Sequence, residues 1–192
     1  MENFDKIKES LPNFPDDVIK EWLLPYADEI GWPPIHDRWN GILYGKSLSF
    51  WQSTSWSLLD IDLNQTIFSS EWIKAYEGLY GAYVRNEDNE YSRGISGGKE
   101  RYLRSLKYLL ASGTFPIPIC LLEEHGEYSV VDGNHRFVAW HVSCRMAREI
   151  LIADKKYPNE AKKIRASLLE KWSIENISEP QNIHKVWVVK QK

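Results

Sequence analysis

Ser129-Val130-Val131-Asp132-Gly133-Asn134-His135-Arg136-Phe137-Val138-Ala139-Trp140 is the stretch on which the fold turns. Its β-branched start reads as a strand, Gly133 as a sharp turn, and Phe137, Trp140, Cys144 and Ala147 as one side of a helix. Glycine lets the main chain turn tightly and approach a ligand. The first amides of a helix have no partner within it and carry the positive end of its dipole. His135 and Arg136 add donors in the first turn, and an arginine can grip two phosphate oxygens at once. These residues predict a phosphate-binding corner. The same letters also fit a plainer structure, in which Asp132 caps the helix, Gly133 serves the turn alone and Arg136 makes a surface ion pair.

Upstream, Tyr128 to Val131 reads as a strand reached through a hairpin-like turn, Glu123 to Glu127, from an apolar strand over Phe115 to Leu122. Lys99 to Ser112 reads as a helix closed by Gly113, preceded by a polar loop from Arg85 to Gly98 and a helix over Glu71 to Tyr80. Gly41 to Leu63 mixes apolar residues with Ser and Gly and predicts two or three short strands. Downstream come a helix over Asn159 to Trp172 and a strand over Lys185 to Val189. Near the start, Pro15-Asp16-Asp17 opens a helix that Pro25 is expected to bend or end, and Gly31-Trp32-Pro33-Pro34 marks a boundary. The resulting expectation is an α+β chain with a small mixed sheet flanked by helices, divided into an N-terminal helical extension, 1–40, and a main domain, 41–192.

Composition narrows the function. At 192 residues, 43% hydrophobic and 27% charged, the chain is ordinary for a globular protein and short for two full-sized domains. There is no apolar run long enough to span a membrane, and MENFDKIKES lacks the apolar core of a secretory signal, so a soluble, cytoplasmic protein is expected. A net charge of -3 supplies no general basic field, which disfavours non-specific DNA binding. The two cysteines, Cys120 and Cys144, read as buried thiols, with no spacing suited to zinc. Nine Trp and ten Tyr predict aromatic cores with a few rings left for a binding face.

The run from Ser105 to Trp140, roughly a fifth to a quarter of the chain, resembles the core of the ParB and sulfiredoxin superfamily. It shows a helix, Gly113, a Pro-Ile pair (Pro116-Ile117 or Pro118-Ile119), a hairpin, then Gly133 and Arg136 followed by Ala139. The resemblance implies nucleotide binding with phosphates held at the corner. Where sulfiredoxins carry the reactive cysteine of G-C-H-R this chain has Asn134, so their chemistry is not expected. Where ParB proteins carry G-E-R-R it has Gly133-Asn134-His135-Arg136, and the 52 residues after Trp140 are too few for their further domains. The acid-Gly-x-x-Arg spelling is closer to the superfamily's small-molecule, free-serine-type kinases.

The resemblance thus implies an enzyme that uses ATP, ADP or CTP with Mg2+ to transfer phosphate to a small hydroxyl compound, or to hydrolyse it. Gly133, Asn134, His135 and Arg136 would hold phosphates, with Asp132, His135 and Arg136 as catalytic candidates and Asp132 binding magnesium or orienting the acceptor. Ser96, Gly97, Gly98 and Lys99, just before a helix, would form a lid over the phosphates, or merely a connecting loop. Glu123, Glu124, Asp60 and Asp62 are weaker carboxylate candidates, better explained by a solvated turn and an exposed strand face. Gly41-Ile42-Leu43-Tyr44-Gly45-Lys46-Ser47 has one residue too few for a P-loop. Two other classes remain open: a ParB-like DNA-associated module, such as a nuclease or regulator of a mobile element, and an interaction protein with a vestigial nucleotide site.

Overall fold

Apolar side chains alternate between the two faces of every central strand, so the sheet must be covered on both sides, and two separate cores result. The architecture is that of a computed structural model, which describes residues 2–94 and 97–192. Helices α1 (Glu2–Ser10), α2 (Asp16–Val18), α3 (Leu24–Ile30), α4 (Arg38–Ile42) and α5 (Leu48–Gln52) precede strand β1 (Thr54–Asp62). Then come α6 (Ser70–Tyr83), α7 (Glu90–Gly94), α8 (Gly98–Ser112), β2 (Cys120–Glu124), β3 (Glu127–Asp132), α9 (Asn134–Lys156), α10 (Pro158–Trp172) and β4 (Ile183–Gln191). The mixed α+β class is as expected.

The sheet order is β1-β4-β2-β3. β4 runs antiparallel to β1, with Leu58 opposite Trp187, and parallel to β2, with Leu121 opposite Val188. β2 and β3 form a hairpin whose turn residues, His125 and Gly126, both have positive φ, the twist that suits a two-residue connection. Leu121, Val130, Val186 and Val188 face one core, against Trp72 of α6, Leu109 of α8 and Phe137 of α9. Cys120, Leu122, Val131 and Val189 face the other, against Ile7, Trp22, Trp39 and Trp51 of the N-terminal helices. Helix α10 packs on α9. Cys120 is buried, whereas Cys144 is only half-buried.

Four sequence expectations change. The strands read into Gly41 to Leu63 reduce to β1; the residues before it are helical. Ser47 accepts a hydrogen bond from the Phe50 amide at 3.1 Å and caps α5, and Trp39 and Leu43 sit four residues apart in the same core, which is helical and not alternating spacing. The strand expected from Phe115 begins only at Cys120, because Pro116 and Pro118 have no N–H for a ladder. Pro25 lies in the first turn of α3 and the helix continues to Ile30; a π-helical turn, Ile19–Leu23, precedes it, the kind of irregularity that accommodates a helix proline. The polar loop after Arg85 contains α7, nucleated where Asn89 accepts from the amides of Tyr91 and Ser92.

The N-terminal core is built on aromatic rings. Trp51, fully buried, meets Trp22 edge-on at 5.3 Å and Phe50 at 5.2 Å, and its indole N–H donates to the Leu43 carbonyl. Replacing it empties the centre of that layer. Trp51→Ala should cost about 3–5 kcal/mol in urea unfolding monitored by circular dichroism.

Candidate functional site

Gly133 makes the junction between β3 and α9 possible. Its φ is +91°, and a Cβ there would stand 2.6 Å from a methyl of Ile119 and 2.9 Å from the Arg136 guanidinium. Any side chain would therefore be both strained and overlapping. The turn places the first residues of the 23-residue α9 on the lining of a cleft of about 740 Å³. Asp132, Gly133, Asn134 and His135 line it on the sheet side. Facing them are Trp22, Tyr26, Glu29, Arg38 and Tyr44 of the N-terminal layer, and Tyr91 and Arg101 from the α7–α8 side. The cleft thus lies between the two helical layers, at the strand end where α/β sheets commonly place ligands.

Each corner side chain has a definite partner. Arg136 turns back on Asp132, with Nη2 2.6 Å from Oδ2 and both side chains at least four-fifths buried. Burial raises the Asp132 carboxyl above its usual range, against the opposing pull of the Arg136 charge and the Gly133 amide. Arg136 Nε is buried with no hydrogen-bond partner among the described residues. Asn134 Oδ1 accepts from the Trp72 indole at 2.9 Å, and its amide nitrogen donates to the Val130 carbonyl at 3.3 Å. His135 Nε2 lies 3.1 Å from the Tyr83 hydroxyl, with the two rings stacked. Burial, then the nearby Arg101 and Arg136 charges, depress its pKa from 6.5 to about 4, so the imidazole is neutral at pH 7.

These positions revise the sequence reading. The corner opens on a cavity, as expected, and Asp132, Gly133, Asn134 and His135 reach it. Arg136 is not among its lining residues; its part is to neutralise Asp132, in a buried pair and not at the surface. His135 brings no positive charge, and the Asn134 side chain is engaged elsewhere, so both offer the ligand chiefly their backbone amides. Lid candidates Gly97, Gly98 and Lys99 are likewise absent from the described lining; Lys99 donates to Asn86, and Ser96 lies outside the described residues. Of the weaker carboxylates, Glu123 pairs with Lys190 and Glu124 with Lys46, while Asp62 accepts from the Asn64 amide in a turn.

Cationic groups in the cleft come from places the motif did not mark. Arg101 stands in the first turn of α8, three residues beyond Gly98, where helical phase applied to the glycine-rich stretch could have found it. Arg38 pairs with Glu29 at 2.7 Å, and Glu29 is held below the usual carboxylate range by that contact. Nothing in the local sequence announces that pair. Among the described residues no three His, Cys, Asp or Glu side chains converge on a metal-holding group. The two cleft carboxylates, Asp132 and Glu29, are each committed to an arginine, so the donor set does not fit a metal held by the protein alone.

Comparison with protein-family models, curated proteins and solved structures finds no match to this chain. Among the described residues no helix is long and apolar enough to cross a membrane.

Two tests follow from this geometry. Arg136→Ala leaves Asp132 buried without its counter-charge and should lower unfolding free energy by about 3 kcal/mol, with Asp132→Asn/Arg136→Ala recovering part of the loss in a double-mutant cycle. Folding favours the neutral His135 imidazole, so its contribution is complete above pH 6.5 and is lost as pH falls toward 4. His141 and His184, also depressed by burial, act in the same direction, and Asp132 acts in the opposite one. The melting temperature of His135→Phe should therefore fall less steeply between those pH values than that of the parent.

Proposed function

We propose that this chain is a nucleotide-dependent enzyme that transfers or hydrolyses phosphate in the cleft before α9, with ATP, ADP or CTP as the phosphate carrier. One observation carries the reading: a cavity of nucleotide size is lined by the first residues of a long helix and by Arg101. Phosphoryl transfer asks a protein mainly to position the groups and neutralise charge. The amides of Asn134 and His135 aim partial positive charge at the cleft, and Arg101 adds a full one. Asp132 lines the same space, and its raised pKa makes it a stronger base than a solvated aspartate, suited to accepting the proton of an acceptor hydroxyl or a water. Arg136 holds that carboxylate in place. Magnesium on this reading arrives with the phosphates and water as its main ligands. The acid-Gly-x-x-Arg spelling, which resembles that of the small-molecule kinases of the ParB and sulfiredoxin superfamily, agrees with this assignment.

A thermal-shift screen tests it. ATP, ADP or CTP with Mg2+ at about 100 times its Kd should stabilise the fold by about 2.7 kcal/mol, and Arg101→Ala should remove most of the shift. Asp132→Asn should keep the shift while slowing phosphate release or transfer roughly 10²- to 10⁴-fold. No shift with any nucleotide, together with no phosphate release, overturns the proposal.

A further inference from the structure

The cleft has two chemically different halves. The corner of α9 and Arg101 suit an anion, whereas the N-terminal layer contributes Tyr26 and Tyr44. Tyr44 has a backbone φ of +57°, a left-handed conformation rare for a bulky residue. It follows α4, where the Gly45 amide donates back to the Asn40 carbonyl and the Tyr44 amide to Gly41. Helices that end this way ordinarily carry glycine at the left-handed position, because a Cβ there is strained. Here a tyrosine bears the strain, and its ring lines the cleft. Strained residues of this kind cluster at ligand sites, where the side chain is worth more than the relaxed backbone. Tyr91 reaches the same cleft from α7, near enough to sense Tyr44: burial, then Glu90 and Tyr44, raise its pKa.

We propose that Tyr44 and Tyr26 form a stacking platform for a planar nucleobase, so that the ligand lies across the cleft with its phosphates at the first turn of α9 and Arg101 and its base on the N-terminal layer. This rests on the phosphate site described above, and it separates a nucleoside polyphosphate from a bare polyphosphate or a sugar phosphate, which would use the anionic half alone. Base stacking on aromatic side chains tolerates different bases, so the platform selects for a base without fixing which. The Glu29–Arg38 pair stands at the same wall, with an acceptor and a donor side by side for the base edge.

Calorimetric titration of the full chain with ATP, CTP and inorganic tripolyphosphate, each with Mg2+, tests the platform. The nucleotides should bind at least tenfold more tightly than tripolyphosphate. Tyr44→Gly should abolish that difference and leave tripolyphosphate binding unchanged. Tyr44→Phe should retain the difference. Equal affinity of the parent for nucleotide and tripolyphosphate overturns the platform while leaving the phosphate corner standing. A Tyr44→Gly protein that loses both ligands alike also overturns it by making the tyrosine structural. If neither nucleotide nor tripolyphosphate binds, the phosphate site fails and the platform with it.

Discussion

A carboxylate at the buried end of β3 needs a compensating charge, and Arg136, one helical turn later, provides it. That pair joins the strand to the helix across Gly133. Its energetic balance is narrow: burial outweighs the attraction of the arginine, leaving Asp132 harder to ionise than a solvated aspartate even with its partner in contact. The same pair draws Arg136 away from the cleft and presents Asp132 to it. One contact therefore determines which charged group at the junction lines the cavity.

The second condition is that the sheet is covered on both faces. The layer of α6, α7, α8 and α9 supplies Arg101, Tyr91 and the helix terminus, while the N-terminal helices supply Tyr26, Tyr44 and the Glu29–Arg38 pair. The cleft is the gap these layers leave beside the end of β3. Residues 2–52 are thus half of the candidate site as well as a cover for Cys120, Leu122, Val131 and Val189. The aromatic packing around Trp51 is what holds that half in position.

Electrostatics in the cleft are nearly balanced, and this bears on how it could work. Glu29 and Asp132 are each met by an arginine, His135 is neutral at pH 7, and Arg101 also lines the cleft. A ligand with several negative charges gains from the helix dipole and Arg101 but would also bring counterions of its own. Among the described residues no cage of side chains converges to hold a cation, so on the proposed reading magnesium enters with the phosphates.

The order of elements from Lys99 to Trp140 was legible in the sequence because each part has a local cause. A helix ends at Gly113 with φ of +75°, two residues close a hairpin, and Gly133 allows a turn that no side chain permits. Local rules failed where tertiary packing chose between them. The Ser-rich apolar residues before β1 fit strands by composition, and a serine cap with burial against the aromatic core made them helical. The corner was likewise visible as letters, but letters carry no direction. Whether Arg136 faced a ligand or a neighbouring carboxylate, whether His135 was charged, and which residues completed the cavity depended on burial and on contacts between segments far apart in the chain, such as Tyr44 and Tyr91 beside Asp132. The sequence determined that a strand would turn into a helix at Gly133, since backbone sterics act within a few residues. Only the tertiary structure decided what that helix terminus faces, because a cavity is formed by the distant segments that surround it.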